Sequence, residues 1–138
     1  MLGRILKECG AIKFGKFRLT SGKESSFYID IKEGSTKPEI LREIAKEIAR
    51  YVTGKYDKIA GMELGAVPLV VATALETNLP YVIVRKVARE HGTGKQIEGT
   101  INKGDNVVIV EDVATTGSSI LKSVTAVREA GGIVKDAI

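Results

Sequence analysis

The residues best suited to chemistry stand at the end of one apolar run. Val107-Val108-Ile109-Val110 is a β-branched stretch with the character of a central strand, and it leads directly into Glu111 and Asp112. A turn of small residues follows, Val113-Ala114-Thr115-Thr116-Gly117-Ser118-Ser119, before a helical pattern begins. Backbone N–H groups of Thr115 to Ser119 point outward where that helix starts, and the helix dipole favours an anion there. Gly117 lets a phosphate approach the chain, and the hydroxyls of Thr115, Thr116, Ser118 and Ser119 add donors. Two carboxylates repel a phosphate that touches them but suit the vicinal hydroxyls of a ribose one sugar length away. The segment therefore reads as a sugar-phosphate site. Thr and Ser alone would be an ordinary capped turn; the ionised pair after a buried strand, costly without a task, decides for function.

A second candidate is the stretch from Arg85 to Glu98, which has no apolar face and carries Gly92 and Gly94, so it is expected to be a mobile loop. Arg85, Lys86, Arg89, His91 and Lys95 place cationic groups on it, suited to closing over a pyrophosphate. Taken alone, the loop is equally well a solvated basic segment, and His91 a surface histidine. Other phosphate motifs fail on spacing. Gly94-Lys95 lacks both the preceding glycine and the following Ser or Thr of a P-loop, and no G-x-G-x-x-G follows a strand.

The elements that must position these groups alternate in type. Leu2, Ile5 and Leu6 suggest a short opening helix ended near Gly10, and Phe27 to Ile31 reads as a strand. Ser35 and Thr36 offer capping oxygens before Pro38, and Ile40, Leu41, Ile44, Ala45 and Ile48 then repeat at helical spacing. From Lys58 onward short apolar runs alternate with helices: Lys58 to Met62, a buried helix over Gly65 to Leu75, Tyr81 to Val84, the Val107 run, a helix from Ser118 to Ala130, and a strand from Ile133. The fold class expected is α/β, a parallel sheet flanked by helices.

Composition narrows the choices. The chain has 138 residues, enough for one core, so one domain is expected. The net charge of +4 comes from 21 basic and 17 acidic residues that are intermixed, which suits a small polyanion better than nucleic acid. No apolar run is long enough for a membrane span or a signal peptide, so a cytoplasmic protein without a membrane partner is expected. One cysteine and one histidine make neither a disulfide nor a Cys/His metal cluster.

The Glu111 to Ser119 segment resembles the motif that binds phosphoribosyl pyrophosphate (PRPP) in type I phosphoribosyltransferases. Arg85 to Gly94 is similar to the catalytic loop of the orotate phosphoribosyltransferases, and Leu19 to Asp30 resembles that family's N-terminal signature. The resemblance implies a small hood over the base, about residues 1–35, on a core of about residues 36–138. It implies transfer of ribose 5-phosphate from PRPP to orotate with Mg2+, in a homodimer whose loop serves the neighbouring site. Lys86, Arg89, His91 and Asp112 would be catalytic. Arg85, Lys86, Arg89, His91 and Glu111 through Ser119, including Val113 and Ala114, would bind PRPP. Lys23, Phe27, Tyr28 and Thr115 would contact orotate, and no residue is assigned as a direct metal ligand. Transfer to another base, or a regulator that keeps the fold, are the alternatives. Relatives continue past the last strand and use an arginine there for the carboxylate of orotate, so the chain is expected to be incomplete at its C-terminus and to bind orotate weakly.

Overall fold

The structure, a computed structural model, describes residues 2–19, 21–88, 90–92 and 94–138. Helix α1 (Leu2–Glu8) precedes a hairpin of β1 (Ile12–Arg18) and β2 (Glu24–Ile29), and a short helix α2 (Ile31–Ser35) leads into α3 (Pro38–Val52). The remaining elements are β3 (Lys58–Met62), α4 (Val67–Thr77), β4 (Tyr81–Val84), β5 (Ile97–Glu98), β6 (Asn106–Ile109), α5 (Ser118–Glu129) and β7 (Ile133–Ala137). The strands from β3 onward form one sheet in the order β5-β4-β3-β6-β7. All pairs in it are parallel except β4 with β5, so the sheet is mixed rather than purely parallel.

Each interior strand sends alternate side chains to opposite faces, as strand geometry requires. Ile59, Val108 and Val110 join Ile40, Ile44, Val52, Leu69 and Val70 on the side of α3 and α4. Ala60, Met62, Val82, Val84, Val107 and Ile109 pack on the other side with Ala126 and Val127 of α5. Full burial is worth roughly 1.5–3 kcal/mol for each larger aliphatic side chain, so these two layers hold the sheet. Leu6 and Ala11 from the N-terminal segment belong to the first layer. The hairpin itself stays largely exposed, with Phe14, Phe27 and Tyr28 open to solvent.

Several local expectations are corrected. Ser35 and Thr36 do not cap α3, whose N-cap Lys37 makes no side-chain capping bond and whose start relies on Pro38. Their hydroxyls instead donate to the carbonyls of Lys32 and Glu33, at 3.0 and 2.7 Å, and close α2. Ile31 belongs to that helix and not to β2, because Asp30 accepts from the Glu33 N–H at 3.0 Å and turns the chain. Helix α4 buries one face only, since Leu75 is 82% exposed. Strands β1 and β5 were not anticipated; β1 is held by pairing with β2, and β5 is two residues held on the edge of β4. No described helix is long and apolar enough to cross a membrane.

At the end of the sheet opposite the acid pair, the largely buried Lys58 ammonium meets Asp105 Oδ2 at 2.6 Å, and the same oxygen accepts from Asn102 N–H at 2.7 Å. These partners, Lys58 foremost, hold the Asp105 carboxyl below its ordinary range. A depressed carboxylate contributes stability that is present above its unfolded pKa and lost as pH falls through the folded one. Asp105→Asn is therefore expected to lower the melting temperature at neutral pH, with the difference from the unmodified protein narrowing under strongly acidic conditions. Thermal melts across pH read this, and a deficit that does not depend on pH would contradict it.

Candidate active site

In open α/β sheets the ligand crevice lies beyond the carboxyl ends of the strands, where successive connections part to opposite sides. Here β3 is followed in space by β4 on one side and flanked by β6 on the other, so the parting falls between β3 and β6. The turn after β3 (residues 63–66) and the turn after β6 (residues 111–117) therefore stand side by side. They touch. A Cβ placed on Gly65 would lie 2.6 Å from Asp112 Cγ and closer still to Oδ2, so glycine here lets that carboxylate keep its place, and a larger residue would make it turn aside.

Val110 is fully buried, and its N–H donates to the Ala60 carbonyl at 2.8 Å, carrying β6 up to the acids. Glu111 N–H then donates to the Ile138 carbonyl at 3.0 Å. Glu111 turns back on the chain. Its Oε1 accepts from Asp112 N–H at 3.0 Å and its Oε2 from the Ser119 hydroxyl at 2.7 Å. Burial pushes the Glu111 carboxyl up, the adjacent Asp112 carboxyl adds to the rise, and the Ser119 bond opposes it.

Helix α5 begins at Gly117, which is left-handed at φ 78° and makes no side-chain cap bond. Apart from Ser118 N–H, which meets Thr116 Oγ1, its first N–H groups are open to an incoming anion, in the manner of helix N-termini that bind phosphate. Val113, Ala114, Thr115, Thr116 and Ser118 are exposed around them. Thr116 Oγ1 accepts from Ser118 N–H at 3.3 Å. The Ser119 hydroxyl, expected to serve the phosphate, is committed to Glu111 instead.

The structure brings Glu111, Asp112 and the turn from Val113 to Ser119 together; Arg85, Lys86, His91, Lys23, Phe27 and Tyr28 stand on other segments. Arg85 directs its guanidinium along the sheet edge to Glu98, Nη1 to Oε1 3.1 Å, and is half-buried there. Lys86 is exposed and lines a cleft of about 450 Å³ with Gln96, Leu121 and Lys122. His91 is exposed, and Arg89 lies outside the described residues. Lys23, Phe27 and Tyr28 are exposed on the hairpin, where neighbours on β2 point to opposite faces. Tyr28 stacks toward Phe17, ring centroids 5.8 Å apart. Glu63 carries no expected role, and Gly65, expected to open a helix, lies in the turn before α4. The available signal was the parallel construction of two apolar runs, each ending in an acid before a glycine-bearing turn.

A mainly parallel α/β sheet with a carboxylate pair and a helix start at its parting point is the arrangement in which α/β proteins hold ligands. A phosphoribosyl transferase domain model matches residues 30–135. The chain is 56% identical to the orotate phosphoribosyltransferase of Thermoplasma volcanium, over 99% of this chain and 81% of that one. It is also 56% identical to that of Pyrococcus horikoshii, covering 97% and 73%. The crystal structure of orotate phosphoribosyltransferase from Aeropyrum pernix superposes with a TM-score of 0.82 at 36% identity, covering 99% of this chain and 78% of that one. The chain belongs to the orotate phosphoribosyltransferase family.

A carboxyl whose pKa is raised by folding contributes stability that is full below its unfolded pKa and lost as pH rises through the folded one. Glu111→Gln removes the charge, keeps one oxygen to accept from Asp112 N–H, and places an amide N–H that can donate to the Ser119 hydroxyl oxygen. In the absence of ligands it is expected to melt above the unmodified protein at pH 7 to 8, with the gap closing as the pH falls toward the ordinary carboxylate range (about 4.3). Melting curves across pH test this, and a variant that melts lower at pH 7 would contradict it.

Proposed function

We infer that this enzyme transfers ribose 5-phosphate from PRPP to orotate, giving orotidine 5-phosphate and pyrophosphate. The observation that carries the reading is the acid pair seated beside an uncapped helix start at the switch point of the sheet. On this reading the N–H groups of Thr115 to Ser119 hold the 5-phosphate, and Glu111 and Asp112 accept hydrogen bonds from the ribose hydroxyls. The base nitrogen forms its bond to the anomeric carbon as the carbon–oxygen bond to pyrophosphate breaks, the electron pair leaving with the pyrophosphate. Lys86, Arg89 and His91 come over the leaving group when the loop closes, countering its charge and excluding water. Arg85 contributes through its hold on Glu98 at the stem of that loop.

Lys23, with either Phe27 or Tyr28, faces the base beside Thr115; alternation along β2 lets only one of the two rings do so, leaving the other to contribute backbone. Mg2+ fits the donor set in a restricted sense. Among the described residues no three His, Cys, Asp or Glu side chains gather into a metal cage. Magnesium commonly uses one or two carboxylates with substrate oxygens completing its shell, a place Asp112 and Glu111 can fill. When bound it supplies charge neutralisation at the pyrophosphate. We further propose a cytoplasmic homodimer in which each loop serves the partner's site.

Formation of orotidine 5-phosphate from orotate and PRPP, dependent on a divalent cation, is the expected result of a direct assay run beside uracil and purine bases. Faster turnover of another base would overturn the substrate, and full activity in excess chelator the metal. For the loop, Lys86→Ala and Asp112→Asn variants, each inactive alone, are expected to regain about a quarter of wild-type activity when mixed as equal subunits, because that share of sites receives both intact groups. No recovery after demonstrated subunit exchange would place the loop in its own site.

A further inference from the structure

We propose that Glu63 is a positioning residue for this reaction, holding the stem of the basic loop in register with the acid pair; the proposal rests on the activity assigned above. Glu63 is the first residue after β3, and it grips the end of β4 twice. Its N–H donates to the Val84 carbonyl at 3.0 Å, and its Oε1 accepts from Lys86 N–H at 2.7 Å. The two bonds bracket Arg85. From the other flank Arg85 N–H donates to the Gln96 carbonyl at 2.8 Å, and its own carbonyl accepts from Gln96 Nε2 at 3.2 Å. Lys86 is thus the point at which the loop leaves the sheet.

Gly65, two residues beyond Glu63, rests against the Asp112 carboxylate. One short turn therefore touches the acid pair with one residue and sets the departure of the loop with another. The chemistry of Glu63 supports this use. A carboxylate in a turn that borders a polyanion's site is repulsive if it faces the ligand. Turned toward the Lys86 N–H, it makes a charge-assisted bond stronger than a neutral carbonyl would make. Loop closure over a leaving group needs the loop to start from a fixed place, and a misplacement of about 1 Å far from the reacting atoms can cost on the order of a hundredfold in rate.

The test compares Glu63→Ala, which removes the acceptor, with Glu63→Gln, which keeps an acceptor oxygen in the same place. Hydrogen exchange at the Lys86 amide, followed without substrates, is expected to quicken in Glu63→Ala and to stay near the unmodified rate in Glu63→Gln. In turnover assays Glu63→Ala is expected to lose kcat on the order of ten- to a hundredfold. Its affinity for ribose 5-phosphate, measured by calorimetry, should be unchanged, and Glu63→Gln should restore most of the rate. Unchanged exchange at Lys86 in Glu63→Ala overturns the proposal, as does an unchanged kcat. Equal rate loss in both variants overturns it too, since the charge rather than the bond would then matter. Parallel loss of ribose 5-phosphate binding would reduce Glu63 to a structural role. A lack of any turnover by the unmodified protein is a failure of the functional assignment, recognisable as such because the exchange measurement needs no substrate.

Discussion

The contact between Gly65 and the Asp112 carboxylate is the constraint on which the site depends. Two parallel strands lie side by side only because both faces of the sheet are covered, and their ends then bring two turns into the same space. A side chain on either turn would have to yield. The structure resolves this by leaving one turn without a Cβ at the meeting point, so the carboxylate stands close to the backbone that follows β3. The candidate site is arranged around that approach. The start of α5 lies on one side, and the stem of the basic loop is held on the other by Glu63.

Electrostatics divide the crevice into two parts of opposite preference. The start of α5 presents N–H groups without a side-chain cap, which favours a phosphate. Glu111 and Asp112 repel one, which favours hydroxyls, and the repulsion between them contributes to the rise in the Glu111 carboxyl. The Ser119 hydroxyl bridges the two parts by donating to Glu111 from the first turn of the helix. A sugar carrying its phosphate at one end and vicinal hydroxyls at the other matches that division without rearrangement of the turn.

Stability is concentrated away from this chemistry. Lys58 and Asp105 join the N-terminal ends of β3 and β6, and Asp57 accepts from Asn106 N–H at 2.8 Å beside them. These bonds set the register of the two strands from the end that carries no substrate groups, so the acids at the other end can be placed where mutual repulsion would otherwise be unfavourable. The exposed hairpin contrasts with this. It is joined to the body through Ala11, whose carbonyl accepts from Asp30 N–H at 2.6 Å, and its aromatic side chains stay open to solvent.

The sequence by itself determined the sheet strands that are buried on both faces, because short apolar runs bounded by polar segments, such as Val107 to Val110 and Ile59 to Met62, have few other stable environments. It also marked the acid pair and the small-residue turn after it as candidates, since ionised residues directly after a buried strand need a reason to be there. Helix α3 was legible from its spacing alone. Tertiary structure decided the rest. Strand β5 exists because β4 offers it an edge. The pairing of Arg85 with Glu98, the engagement of Ser119 by Glu111 and the grip of Glu63 on Lys86 join residues from 8 to 23 positions apart. No local pattern encodes such partners. They meet because the sheet order places particular strand ends next to one another, and that order is a property of the packed chain.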